Sequence, residues 1–256
     1  MAPRLSAVVI TRNEAARVAA CLESLAGLDE IVVIDDASTD DTVAVARRYT
    51  EHVIVHPHEG ENWDLNKNVG MDAATGDWVL LVDADERVSP DLLAEVRAVI
   101  ASEPPHAGYW IPRREFYFGY HPRHAASSAR VMRLFRRGAA RFEGQHLHEH
   151  PRVAGSLGEL VQALDHHAYA TIADYVTKTN FYTTHEARHR HAQGERAGWR
   201  DVLIAPLKLF RYRFWKLKGY KDGMPGLVYC LVTSLYPFLQ NAKLWELSRS
   251  QLEKAS

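Results

Sequence analysis

"GDWVLLVDADERVSP", residues 76–90, drives an unbroken apolar run into three carboxylates. Residues 78–82 offer water no polar side, so they read as a strand buried on both faces, as in a parallel sheet covered by helices. The run stops on Asp83, Asp85 and Glu86, with only Ala84 between them. "EIVVIDDASTDDT", residues 30–42, repeats the pattern, as Ile31 to Ile34 lead straight into Asp35 and Asp36. Open parallel sheets bind ligands outside the carboxyl ends of their strands, and both acidic clusters fall at such ends. On an extended chain Asp83 and Asp85 point the same way. Two carboxylates that close repel each other, and one takes up a proton unless a cation lies between them. Oxygen-only donors suit a hard ion such as Mg²⁺ or Mn²⁺, which is typically bound by one or two carboxylates plus substrate phosphates. One such cluster would serve equally well as a turn cap. Two in the same repeating context call for a shared ligand crevice.

Outward from these strands the alternation is regular. Residues 5–10, 31–34, 52–55 and 78–82 read as strands, and residues 14–25, 42–49, 65–74 and 91–100 as helices. Ser38 or Asp40 suits the cap of the second helix, and Ser89 that of the fourth, with Pro90 at its first position. After "SEPPHAG" (102–108) the alternation ends, and "YWIP", "EFYFGY", "VMRLF" and "RFEGQHLHEH" read as short β-pieces beside the sheet. From residue 171 onward the pattern is helical. The expectation is an α/β fold with a Rossmann-like, mostly parallel sheet flanked by helices and a helical C-terminal tail.

The chain of 256 residues suits one large or two small domains. Its composition, 46% hydrophobic and 25% charged, is that of an ordinary globular protein. A net charge of −1 gives no reason to expect nucleic acid as a partner. Cys21 and Cys230 fit neither a zinc pattern nor a disulfide framework, so a reducing compartment is expected. "LSAVVI" (5–10) is too short for a secretory h-region. "GLVYCLVTSLYPFL" (226–239) falls short of the roughly 20 residues that span a bilayer and contains Pro237.

Three motifs, "VVITRNE" (8–14), "IVVIDDASTDDT" (31–42) and "KNVGMDAATGDWVLLVDADE" (67–86), resemble in order and spacing those of family 2 glycosyltransferases, which have the GT-A fold. Together with "HLHEHP" (146–151) and "ALDHHAYATIADYVTKTNFY" (163–182), the layout is similar to small bacterial glucosyltransferases of the lipopolysaccharide core. The resemblance implies an inverting transfer from a nucleotide-sugar donor, UDP-linked, to a glycan or lipid-linked acceptor in cell-envelope synthesis. It implies a catalytic domain over residues 1–170, with a nucleotide-binding half (1–100) and an acceptor half (101–170), and a helical extension over 171–256. Asp83 and Asp85 match the DXD motif that holds Mn²⁺ or Mg²⁺ against the donor diphosphate, and Asp83 and Ala84 lie along the nucleotide. Asp36 matches the aspartate that accepts from uracil N3–H. Thr11, Asn13 and Glu14 match the loop beside the nucleotide, and Lys67 and Asn68 the stretch near the diphosphate and donor sugar. The chemistry agrees, since the departing diphosphate gains charge that a divalent ion stabilises as a Lewis acid. Lys67 could add a second positive charge, or be a solvated lysine on a helix face.

Inverting transfer needs a carboxylate within hydrogen-bond reach of the acceptor hydroxyl. "RFEGQHLHEHP" offers Glu143 and Glu149. His148 and Glu149 match the family's His-Glu pair, so Glu149 is the expected base, with Glu143 and Asp85 as lesser candidates. The resemblance also allows a histidine downstream of DXD as an extra metal ligand, His148 or His166. His146, His148 and His150 alternate and could mimic a zinc site, but no further ligand set accompanies them. His185 and His189 read as one polar helix face.

"PLKLFRYRFWKLKGYK" (206–221) holds six Lys or Arg, five aromatics and no acid. Basic residues interleaved with rings suit an anionic membrane surface, and Phe210, Phe214 and Trp215 are the rings expected to insert. The alternatives are a helix packed on the catalytic domain with snorkelling lysines, or a homodimer contact. The expected location is cytoplasmic, peripheral on the inner face of the membrane. Three rival functions have weaker support. An NDP-sugar-forming nucleotidyltransferase usually carries a Gly-rich basic first loop, and "VVITRNEAARV" has no glycine. A dinucleotide oxidoreductase would carry GxGxxG after the first strand. A non-catalytic, membrane-associated interaction protein on a transferase fold is disfavoured by the intact Asp36, Asp83, Asp85 and Glu149.

Overall fold

The computed structural model describes residues 2–57, 64–126, 129–144 and 150–255, with side chains as far as Arg249. Strands and helices alternate through β1 (Leu5–Thr11), α1 (Val18–Glu23), β2 (Glu30–Asp35), α2 (Thr42–Ala46), β3 (Val53–Val55), α3 (Leu65–Ala73), β4 (Trp78–Asp83), β5 (Glu86–Arg87) and α4 (Pro90–Ala101). Then come β6 (Gly108–Tyr117), β7 (Ala129–Arg136), β8 (Ala140–Arg141), β9 (Arg152–Val153), β10 (Leu157–Glu159) and β11 (Leu164–Tyr169). The chain ends in α5 (Ile172–Ala192), α6 (Trp199–Arg211) and α7 (Gly223–Ala255), with a π-helical turn at Tyr212–Lys216 and a 3₁₀ turn at Gly219–Asp222. It divides into two compact units, residues 1–114 with 128–166 and residues 115–127 with 167–256.

The main sheet has the order β3-β2-β1-β4-β7-β6-β11-β5, with β10 on β6. Its first four strands are parallel. The pairs β4–β7, β6–β7 and β5–β11 are antiparallel. The first three aromatic runs after residue 108 therefore do not lie beside the sheet, whereas Arg141, which opens the fourth, stands in a separate two-stranded sheet of β8 with β9. "YWIP" and the start of "EFYFGY" form one strand, β6, and "VMRLF" lies in β7, both inside the sheet.

The apolar runs are buried on both faces because alternate residues feed two cores. Leu5, Ala7 and Val9 of β1 join Val33, Trp78, Leu80 and Val82 beneath α1 and α4. Val8 joins Val32, Ile34, Val79 and Leu81 on the opposite face, against Met71 of α3. Helix α3 reaches that face through Gly70, where a Cβ would lie 2.2 Å from Val8 Cγ1. Only a residue without a side chain lets the helix backbone come this near.

Helices α1 and α2 are shorter than expected. Residues 14–17 form a turn, and α2 ends in i→i+3 hydrogen bonds from Arg48 and Tyr49, the tightening common at helix ends. Ser89 caps α4 as expected, accepting from Leu92 N at 3.2 Å. For α2 the useful acceptor is Asp40, which takes Thr42 N at 3.0 Å, whereas Ser38 accepts from Asn13 N.

In the second unit Thr171 caps α5 reciprocally. Its Oγ1 accepts from Asp174 N at 3.1 Å, and Asp174 Oδ2 accepts from Thr171 N at 3.1 Å. Thr171→Ala should cost about 1 kcal/mol, read as faster amide exchange in the first turn of α5. Lys243 of α7 binds α5 by donating to Asn180 O at 2.6 Å and to Thr183 and Thr184 Oγ1 at 2.8 and 2.7 Å. Among the described residues no helix is long and apolar enough to cross a membrane.

Candidate functional site

Strand register alone brings the acidic clusters together. Thr11 pairs with Asp35 across β1 and β2, and Ile10 pairs with Asp83 across β1 and β4. Because these strands are parallel, Thr11, Asp35, Asp36 and Asp83 all stand at one edge, at the carboxyl ends.

The loops after β1 and β2 are tied to each other. Asn13 Oδ1 accepts from Thr39 N at 2.8 Å, Ser38 Oγ accepts from Asn13 N at 2.8 Å, and Thr42 Oγ1 accepts from Glu14 N at 2.8 Å. Asn13 and Ala37 adopt positive φ, 52° and 49°. Asn tolerates that region, but alanine does not favour it. Ala37 is held there by Asp35, whose carboxylate accepts from Ser38 N at 2.8 Å and from Ser38 Oγ at 2.5 Å. Strain kept in place by such contacts is typical of binding loops. Asp36 is buried and pairs with the half-exposed Arg12 at 2.9 Å. Thr11 Oγ1 is buried with no hydrogen-bond partner among the described residues. The carboxylate of Glu14 pairs with Arg17 at 2.6 Å.

At the end of β4, Asp83 Oδ2 pairs with Arg133 Nη2, which also reaches Glu86 Oε1 at 3.1 Å. Glu86 Oε2 accepts from Asp83 N at 2.9 Å. Glu86 and Arg133 are buried, whereas the Asp83 side chain is 34% exposed. Burial pushes the Asp83 carboxyl up, but Arg133, Lys67 and His166 together outweigh it and hold the group below the usual carboxylate range. Glu86 goes the other way. Its burial, with the Asp83 charge, outweighs Arg133, His166 and the Asp83 N–H and raises it. Arg133 is pushed down by burial but raised overall by the two acids.

Antiparallel pairing of β11 with β5 sets His166 opposite Glu86. His166 Nε2 then lies 3.5 Å from Asp85 Oδ2. Ala84 is buried, its N–H on Ile10 O at 3.2 Å. Lys67 pairs with the buried Asp64 at 2.6 Å and lies 5.1 Å over the Phe142 ring, near enough to act on Asp83. Asn68 is buried and structural, exchanging two 2.9 Å hydrogen bonds with the Phe142 backbone.

Of the candidate bases, Glu143 is part-exposed and paired with Arg152 at 2.9 Å. Glu149, His148 and His146 lie outside the described residues. His150 is exposed, with its ring edge-on to Trp110. Sequence reasoning missed Arg133 and gave Glu86 no role. The available signal was a lone cation inside the apolar run "VMRLF", at a position that an amphipathic strand would give to a hydrophobic residue.

The donor set suits a divalent ion completed by substrate. Among the described residues no three His, Cys, Asp or Glu side chains form a metal cage. Asp85 and His166 nevertheless converge, and their 3.5 Å separation suits two donors each about 2.1 Å from one ion. Asp83 stands two residues away with part of its carboxylate open to solvent. Two surface cavities of about 460 and 420 Å³ lie elsewhere, and neither is lined by Asp36, Asp83 or Asp85.

The family profile described as "Glycosyl transferase family 2" matches residues 6–155. An uncharacterized glycosyltransferase of Rickettsia felis is 30% identical over 95% of this chain and 90% of its own. The lipopolysaccharide core biosynthesis glycosyltransferase LpsC of Rhizobium meliloti is 27% identical over 94% of this chain and 92% of its own. Among solved structures, the S. aureus TarS fragment 1–349 in complex with UDP covers 97% of this chain and 92% of that one, with a TM-score of 0.50 at 16% identity.

Proposed function

The chain belongs to glycosyl transferase family 2 and has the GT-A type of fold, and we propose that it is a metal-dependent, inverting transferase that moves a sugar from a UDP-sugar to a hydroxyl of a cell-envelope glycan or lipid-linked acceptor. The observation that carries this reading is the convergence of Asp36, Asp83 and Asp85 at one edge of the parallel sheet, with His166 facing Asp85. The relative named for lipopolysaccharide core synthesis supports the acceptor class.

On this reading the uracil ring meets Asp36, whose carboxylate would exchange Arg12 for N3–H, and the unpartnered Thr11 hydroxyl takes a polar group of the nucleotide. Asp83, Asp85 and His166 would hold Mn²⁺ or Mg²⁺, which supplies Lewis-acid stabilisation of charge on the departing diphosphate. Lys67 adds fixed positive charge on the same side. The acceptor oxygen bonds to the anomeric carbon as the bond to the diphosphate oxygen breaks, and its proton passes to Glu149. The acceptor lies at a membrane surface.

A panel of UDP- and GDP-sugars, assayed for binding and slow hydrolysis with and without Mn²⁺, tests the class. Mn²⁺-dependent hydrolysis of a UDP-sugar is expected. Formation of an NDP-sugar from a triphosphate and a sugar phosphate would overturn the reading in favour of a nucleotidyltransferase. Removing a positioned base typically costs about 10²–10⁴-fold in rate. Glu149→Gln should lower turnover by that order with nearly unchanged UDP affinity. If Glu143→Gln behaves so instead, the base is misassigned.

A further inference from the structure

We propose that α6 and the turn after it lie in the interface of an anionic bilayer, with Trp199, Leu203 and Leu207 inserted and the flanking basic side chains against lipid phosphates. The transferase reading supplies the purpose of such contact, and the surface itself is read from this helix alone.

A helix that packs by its apolar stripe buries it. In α6 no residue is buried; Val202, Leu209 and Phe210 are half-buried, while Trp199, Leu203, Ile204 and Leu207 are exposed. Trp199, Leu203 and Leu207 follow at four-residue spacing on one face and are 68%, 51% and 61% exposed. Beyond them the π-helical turn Tyr212–Lys216 presents Trp215, 62% exposed. Of the rings expected to insert, only Trp215 is exposed. Phe210 and Phe214 stack on each other at 5.2 Å and pack inward on Ala125, Tyr229 and Cys230. Arg213 also turns inward, over the Tyr229 ring at 5.1 Å.

Charge selects the occupant. Arg200, Lys208, Arg211, Lys216, Lys218 and Lys221 are exposed, and the one acid from residue 199 to 221 is Asp201, which accepts from Gly198 N at 2.8 Å at the start of the helix. A two-fold contact between copies of this face would set basic rows against each other. A sheet of lipid phosphates accepts both the rings and the cations, as interfacial amphipathic helices require.

The test uses the full chain with vesicles of phosphatidylglycerol and phosphatidylcholine, or phosphatidylcholine alone. Co-sedimentation with the anionic vesicles only, partly reversed by salt, is the expected result. Leu203→Glu with Leu207→Glu should weaken partitioning by on the order of tenfold or more. Because both side chains are exposed, UDP-sugar hydrolysis without vesicles should not change. Lys208→Gln, Arg211→Gln and Lys216→Gln together should abolish the preference for anionic lipid. Wild type that ignores anionic vesicles while hydrolysing donor overturns this proposal alone. So does an unaltered affinity of the Glu variants, or a wild-type dimer that they convert to monomer without any lipid binding. Vesicle binding without donor hydrolysis leaves this surface standing and defeats the transferase reading instead.

Discussion

Asp85→Ala is expected to lower sugar transfer by about 10³-fold or more while the chain stays folded. A divalent ion contributes several kcal/mol to stabilising charge on a leaving diphosphate, and about 1.4 kcal/mol is tenfold in rate. Asp85 faces His166 at 3.5 Å on a turn at the sheet edge, outside both apolar cores, so its loss removes the proposed ligand and leaves the packing alone. EDTA should match the variant, and Mn²⁺ should restore the wild type but not Asp85→Ala. His166→Ala should fall in the same direction, with a smaller loss that added Mn²⁺ partly recovers. Undiminished transfer in EDTA, or an active Asp85→Ala protein, would sink the metal assignment.

Arg133→Met is expected to destabilise the first unit by about 3–5 kcal/mol, the usual cost of removing one partner from a buried ion cluster. Arg133 is the counter-charge to the fully buried Glu86 and to Asp83. Without it two carboxylates remain side by side, one of them shut off from water. Native-state amide exchange of β4 and β7 should rise accordingly. Glu86→Gln should be mild by comparison, because it removes one of the two acids that share Arg133 and keeps the Asp83–Arg133 pair. Combined with Arg133→Met it should recover part of the loss, leaving Asp83 as the only charge. Equal costs for the single and double variants would show that packing, not charge, is what Arg133 supplies.

The two results together separate the roles of neighbouring acids. Asp85 is read as chemistry, Glu86 as support, and Asp83 as both, since it meets Arg133 and still keeps 34% of its side chain open. A metal ion at Asp83 would compete with the guanidinium for the same carboxylate.

Much of this architecture could be read from local pattern. The apolar runs 78–82 and 31–34 named the central strands because burial on both faces leaves no room for a polar residue. Their acidic ends were bound to meet at one edge, since parallel strands share a direction and finish together. Ser89 announced the start of α4 through a hydrogen bond that closes within three residues. The family motifs added roles that no periodicity carries.

What only the tertiary structure decided involves contacts distant in the chain. Arg133 reaches Asp83 across 50 positions because β7 pairs antiparallel with β4, and His166 reaches Asp85 because β11 pairs with β5. In the string each is a lone charge or a lone imidazole. The tail shows the same limit, as composition named a basic aromatic stretch but not which rings face out. Phe210 and Phe214 turn inward while Trp199, Leu203 and Trp215 stay exposed. Local interactions depend on neighbours that the sequence displays side by side. Strand pairing and helix rotation are settled by which distant surfaces exclude water together, and that information exists only once the chain has folded.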